Sequence, residues 1–325
     1  MGSQEIEKTY RKIKEELLKS GLPLESMVAK SIDSISSNLP RGLINHGEYF
    51  FERQSDAFPN SIDFLVTYDL DVEDCDFVQL VFVIECKYRT RGTGWYFTPN
   101  PIKDSGMEFF VENFFSKGKC GWKTFPSSAP PLNDAKIPIV GKGVEIYSNG
   151  QRNEKSINEG LHQLMFASSS LLTRAFFSED QLLEIMLQKS GINIKGRSFH
   201  SLLCPVLVTT ANIYYLKDLT IEKVEQSRKV EDIGSAEKVV ASSMPKPPHY
   251  VERYIKENVA KNVHLISPFD VSTRDLLDFL NTYSTFHPSR YYILNYQGFE
   301  EFIKKYIDFA VSLLMYACRR TNKNR

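Results

Sequence analysis

Asp63, Glu85 and Lys87 are of types and spacing that could do chemistry together. Asp63 lies in the run Ser61-Ile62-Asp63-Phe64-Leu65-Val66-Thr67-Tyr68. Glu85 and Lys87 close the run Val78-Gln79-Leu80-Val81-Phe82-Val83-Ile84-Glu85-Cys86-Lys87. The second run has the β-branched and aromatic residues of a strand. It stays apolar on both faces until Glu85, which predicts a strand buried on both sides. Side chains alternate along a strand, so Glu85 and Lys87 share a face and Cys86 points the other way. Charges at the end of a buried strand must pair, meet water or hold a metal. In the upstream run Ile62, Phe64, Val66 and Tyr68 fall on one face, with Asp63 on the opposite one. If the two runs pair as neighbours, Asp63 approaches Glu85. Two carboxylates brought together repel, and a divalent cation removes that cost. The plainer alternative is a structural ion pair from Lys87 to Glu85 or Asp63, since Glu-x-Lys triplets are common by chance.

The elements around these residues follow from periodicity and punctuation. A first helix is expected from about Gln4 to Lys19; Gly21 ends it and Pro23 opens a second. Leu24, Met27, Val28, Ser31, Ile32 and Ile35 make one stripe at helical spacing. Glu25 borders that stripe in the first turn. There it either complements the helix dipole or reaches a metal site from the side. Glu48 to Gln54 reads as a strand, with a turn around Pro59 before the Asp63 run. The acids Asp69, Asp71, Glu73, Asp74 and Asp76 read as a solvated turn, because EF-hand spacing is missing.

After Lys87, basic and aromatic residues interleave around two glycines, with Arg89, Arg91 and Trp95 among them. Two accounts stand: a loop for phosphate contacts and base stacking, or a β-hairpin whose aromatics pack on the core. The stretch from Pro99 to Gly150 reads as an insertion. Ser156-Ile157-Asn158-Glu159 is a capping-box pattern, and an amphipathic helix follows to about Phe176. His162 and Gln163 lie off its apolar face and are expected at the surface.

Leu202 to Thr210 is again a buried-type strand, and Ile213 to Leu216 follows it. Thr220 is expected to cap a helix through about Ile233. The run Ser242-Ser243-Met244-Pro245-Lys246-Pro247-Pro248 marks the best boundary. Beyond it the pattern is helix (250–261), strand (263–267), helix (273–283), strand (291–295) and helix (299–317), then a basic tail. The expected organisation is therefore a core over 1–241, with an insertion at about 89–155, and an α/β extension or small lobe over 249–325.

Composition narrows the classes. The chain has 325 residues, with 40 Lys plus Arg against 40 Asp plus Glu, so there is no global electrostatic footprint for nucleic acid. Local patches remain available. Its five cysteines are widely spaced with no Cys-x-x-Cys, which predicts reduced thiols, a cytoplasmic setting and no zinc site. No apolar run reaches the length of a membrane span, and the start lacks the apolar segment of a secretion signal.

The order helix, hairpin with Asp63, strand with Glu85-Cys86-Lys87, insertion, helix, strand resembles the PD-(D/E)XK nuclease superfamily. That resemblance spans about residues 5–217. It implies a restriction-endonuclease-like α/β fold, a mixed central sheet flanked by helices. It implies Mg²⁺ or Mn²⁺ held by Asp63, Glu85 and the backbone carbonyl of Cys86, with Lys87 and Glu25 completing the catalytic set. Gln163 stands where some members carry a helical Gln beside the active site. The position of the conserved Pro before the Asp is taken by Ile62. The implied activity is phosphodiester hydrolysis, with DNA favoured over RNA and a homodimer possible. A catalytically silent nucleic-acid-binding or protein-interaction module on the same fold is the alternative.

Overall fold

A computed structural model describes residues 3–52, 60–71, 77–101, 109–116, 119–126, 137–176, 198–244, 248–262, 288 and 290–322. The helices are α1 (Ser3–Lys19), α2 (Leu22–Ser36), α3 (Ser156–Phe176), α4 (Ile221–Gln226), α5 (His249–Asn262) and α6 (Phe299–Asn322). The early strands are β1 (Ile44–Asn45), β2 (Tyr49–Phe51), β3 (Asn60–Ile62), β4 (Phe64–Asp71), β5 (Phe77–Lys87) and β6 (Gly94–Pro99). They continue with β7 (Phe109–Ser116), β8 (Lys119–Pro126), β9 (Ile139–Ile146), β10 (Arg152–Asn153) and β11 (Ser198–Thr209). The last are β12 (Asn212–Tyr215), β13 (Ser235–Glu237), β14 (Val239–Ser243) and β15 (Arg290–Asn295).

One mixed sheet runs in the order β1-β4-β5-β11-β15-β14-β9-β6-β12-β13, and helices cover it on both faces. The chain is thus a mixed α/β protein. Alternation along β5 divides the core. Leu80, Phe82, Ile84 and Cys86 join one apolar cluster with Val28 and Ile32 of α2 and Phe302 and Tyr306 of α6. Val81 and Val83 join the other, with Leu161 and Leu164 of α3 and Val251 and Ile255 of α5. Each such side chain taken out of water stabilises the fold by about 1.5–3 kcal/mol before entropy is counted. Aromatic rings reinforce the first layer: Tyr292 lies 4.9 Å from Phe302 and 5.5 Å from Tyr306.

The two strands carrying the candidate chemistry are neighbours. β4 pairs with β5 antiparallel in the register Phe64↔Ile84, and β5 pairs with β11 in parallel over its full length. The far edge of β11 is shared: β7 pairs with Ser198–Ser201 and β15 with Val206–Thr209.

Several expectations need correction. The Asp63 run is not one strand: it breaks at Asp63, and β3 leaves to pair with β2 in a separate hairpin. Ile62 therefore faces the α3 layer, whereas Val66 and Tyr68 face the α2 layer. Met27 is 41% exposed, whereas the other members of its stripe are buried. Asp69 and Asp71 belong to β4, not to a turn. The stretch expected as an insertion contributes β9, an integral strand between β14 and β6. The helix after Thr220 ends at Gln226, although Thr220 caps it as expected by accepting from the Lys223 N–H at 3.2 Å.

The segment after the Ser/Pro/Lys run adds to the same sheet: β15 lies between β11 and β14. The strand and helix expected at 263–267 and 273–283 lie outside the described residues, as do Glu73, Asp74 and Asp76. Among the described residues no helix is long and apolar enough to cross a membrane.

Candidate active site

The break before β4 puts Asp63 level with Glu85, one step beyond the Phe64↔Ile84 pair. An extended residue there would continue the ladder. Instead the Asp63 side chain takes the place of a backbone acceptor: its Oδ2 accepts the Cys86 N–H at 2.6 Å. A carboxylate that receives a backbone N–H is held in one orientation. Alternation then places Glu85 and Lys87 toward α3 and the Cys86 side chain in the α2 layer, as the sequence predicts.

Glu85 is only 3% exposed. Its Oε1 accepts from Lys87 Nζ at 2.6 Å, so the structural ion pair exists. Its Oε2 is buried with no hydrogen-bond partner among the described residues. Lys87 Nζ also donates to Gln163 Oε1 at 2.7 Å, and Gln163 Nε2 reaches the Ser61 carbonyl at 3.4 Å. Gln163 is therefore not a surface residue: it ties α3 to both Lys87 and the segment entering Asp63.

Burial dominates the electrostatics. It pushes the Glu85 carboxyl up to about 8, with the Asp63 charge adding and Lys87 opposing. Asp63 is raised as well, by burial first, offset by the Cys86 N–H and by Lys87. Glu25 on α2 is raised by burial and then by Asp63 and Glu48, so its carboxylate is within electrostatic reach of the site. The Cys86 thiol is driven well up, chiefly by burial, which makes it a packing group and not a nucleophile.

A second group of residues fixes the end of β5. Thr209 Oγ1 donates to the Lys87 carbonyl at 2.8 Å, and Thr210 Oγ1 bridges the N–H and carbonyl of Arg89, 2.7 Å from each. Gly160 lets α3 approach: a Cβ there would lie 2.8 Å from Leu207 Cδ1 and 3.5 Å from Lys87 Cε. The lone glycine inside a strong helical pattern was the legible signal for this contact. The threonines gave none, because their partners are far away in sequence.

Trp95 is closed to a nucleic acid, and Arg89 is engaged within the protein. Trp95 is fully buried, so that aromatic packs on the core, but β6 pairs with β9 and β12 and not with β5, so the expected hairpin does not form. Arg89 lies 5.8 Å from the Trp95 ring centroid, and its Nε is 2.5 Å from Glu145, an acid of β9 with no exposed surface. A buried acid needs a cation, and Arg89 supplies it. Ser156 donates its hydroxyl to the other oxygen of Glu145, in place of the expected capping box. Arg91 remains exposed.

The donors around the site are all oxygens, which suits a hard cation such as Mg²⁺ or Mn²⁺. Mg²⁺ is commonly bound through one or two carboxylates with waters retained, so the pair Asp63 and Glu85, with its unsatisfied Oε2, fits such an ion. Among the described residues no set of three or more His, Cys, Asp or Glu side chains is gathered closely enough to hold a metal. Compared with family models, with curated proteins and with solved structures, the chain matches none.

Proposed function

We propose that the chain is a divalent-cation-dependent nuclease, with a core of the restriction-endonuclease-like kind, that hydrolyses phosphodiester bonds in DNA. The observation that carries this is the buried, unpartnered Oε2 of Glu85, level with Asp63 and beside an ammonium group held between Glu85 and Gln163. An unsatisfied buried carboxylate oxygen is costly, and a cation removes that cost. Asp63 and Glu85, with the Cys86 carbonyl, would hold Mg²⁺ or Mn²⁺. When bound, such an ion polarises a phosphate oxygen and acidifies a coordinated water.

The protein's own groups do the rest. Lys87 orients the attacking water or meets the negative charge that develops on phosphorus. Gln163 fixes Lys87, and Glu25 adds negative charge on the α2 side. Arg91, exposed beside this end of β5, is the candidate contact for the phosphate backbone, and the setting is cytoplasmic.

The test is to incubate the chain with supercoiled plasmid, linear duplex and single strands in Mg²⁺, Mn²⁺ or EDTA. Cutting that requires the metal, and that falls at least about a hundredfold in both Asp63→Asn and Lys87→Ala, is the expected result. Cutting that survives either substitution overturns the assignment. The second reading is a catalytically silent module that binds nucleic acid or protein. The 2.6 Å Lys87–Glu85 pair favours it, because it satisfies one carboxylate oxygen without a cation. Binding without cleavage in every metal would select that reading.

A further inference from the structure

The first helix carries an apolar face that the described residues leave open. Tyr10 is 69% exposed, and Ile13 and Leu17 are each 51% exposed. Leu22, at the start of α2, continues the patch at 57% exposure. Lys12, Ile13, Glu16, Leu17, Ser20 and Leu22 line a shallow groove there of about 430 Å³. Scattered exposed apolar residues need no explanation, but a contiguous stripe on one helix does.

The stripe has a definite spacing. Tyr10, Ile13 and Leu17 are three and then four residues apart, the alternation of coiled-coil core positions. Tyr10 and Leu17 share one core position, and Ile13 takes the other. On this frame Glu7 and Lys14 take the same flanking position, seven residues apart, next to the core seam. Both are exposed, and neither has an ion-pair partner among the described residues. By contrast, Arg11 pairs with Glu15 at 3.5 Å and Lys19 with Glu16 at 2.8 Å on the same helix.

We infer that this stripe is covered by the same stripe of a second copy, with the two α1 helices antiparallel about a two-fold axis. Charge complementarity selects both the partner and the direction. With the helices antiparallel, Tyr10 of each copy meets Ile13 of the other, and helix position 6 comes opposite Leu17. Equivalent flanking positions then face each other, so Glu7 of each copy lies beside Lys14 of the other. The two-fold axis makes this attraction twice. With the helices parallel, Lys14 faces Thr9 and Glu16 faces Gly21, and no opposite charges meet. An isologous patch of this kind must be self-complementary, and this one is. A helix pair of this length makes a small interface, so the dimer is weak, with a Kd on the order of 10 µM.

Sedimentation of the full chain, from about 1 to 200 µM, tests this. The expected result is a concentration-dependent monomer–dimer equilibrium that Ile13→Glu abolishes. Because that side chain is exposed, an unchanged melting temperature of the monomer shows that the variant folds. Glu7→Lys alone and Lys14→Glu alone should each raise the Kd about tenfold, by turning attraction into repulsion. An equimolar mixture of the two single variants should recover dimer, and so should the double variant within one chain. A wild-type chain that stays monomeric at the highest concentration overturns the inference. So does a dimer indifferent to Ile13→Glu. Single variants that weaken the dimer without recovery on mixing rule out the antiparallel arrangement. None of these outcomes depends on whether the chain cleaves DNA.

Discussion

Glu85 is the residue on which the site's energetics turn. Its folded-state carboxyl is raised from the ordinary range to about 8, so the native state holds a proton that the unfolded chain releases near its usual value of 4.5. Where the native state binds more protons, stability falls as pH rises. In EDTA the protein should therefore lose stability between about pH 4.5 and 8, by a few kcal/mol, and level off above that. Chemical denaturation across that range measures it, and Glu85→Gln should flatten the slope and be the more stable form at pH 8. Asp63, raised in the same direction, leaves a smaller residual slope.

Gln163 gives a second test at this scale. Among the described residues its amide oxygen is one of two acceptors for the Lys87 ammonium, so in the proposed nuclease Gln163→Ala should lower kcat about tenfold with little change in melting temperature. Cys86 enters the site through its backbone N–H, with its thiol packed beside the same Asp63 carboxylate. Cys86→Ala should keep the proposed cleavage, at a cost of about 1 kcal/mol in urea denaturation for the lost packing.

At the scale of elements, the legible parts were those with local causes. The run from Val78 to Lys87 announces β5, and alternation correctly separates Cys86 from Glu85 and Lys87. The break at Asp63 was not legible, because it arises where β3 turns away to β2 and the Asp63 side chain substitutes for a ladder acceptor. Gln163 lies off the apolar face of α3, yet that border points at the end of β5, since Gly160 lets the helix settle against β11. Periodicity describes one element and is silent about the angle at which another crosses it. Gly160→Val should force α3 away from Leu207, costing about 1–3 kcal/mol in thermal or urea melts and loosening Lys87 enough to reduce cleavage. The Arg89, Glu145 and Ser156 group was missed for the same reason, its three members coming from three separate segments.

For the whole molecule, the Ser/Pro/Lys run suggests a boundary that the sheet ignores. β15 pairs with β11 on one side and with β14 on the other. α6 closes the α2 layer, and Ser31 of α2 donates to Glu300 at 3.0 Å. A chain cut after Pro248 should therefore not survive as an independently folded lobe. It should lose its cooperative thermal transition and expose apolar surface to a dye such as ANS.

The position of β15 also has a consequence during synthesis. Both of its partner strands leave the ribosome before it does, so the nascent sheet waits with the end of β11 and one edge of β14 unpaired. Open strand edges are where chains associate wrongly, and pairing across long sequence separations is slow. The yield of native protein should thus depend on how long those two edges are shielded, by slow translation or by a chaperone, until residues 290–295 arrive.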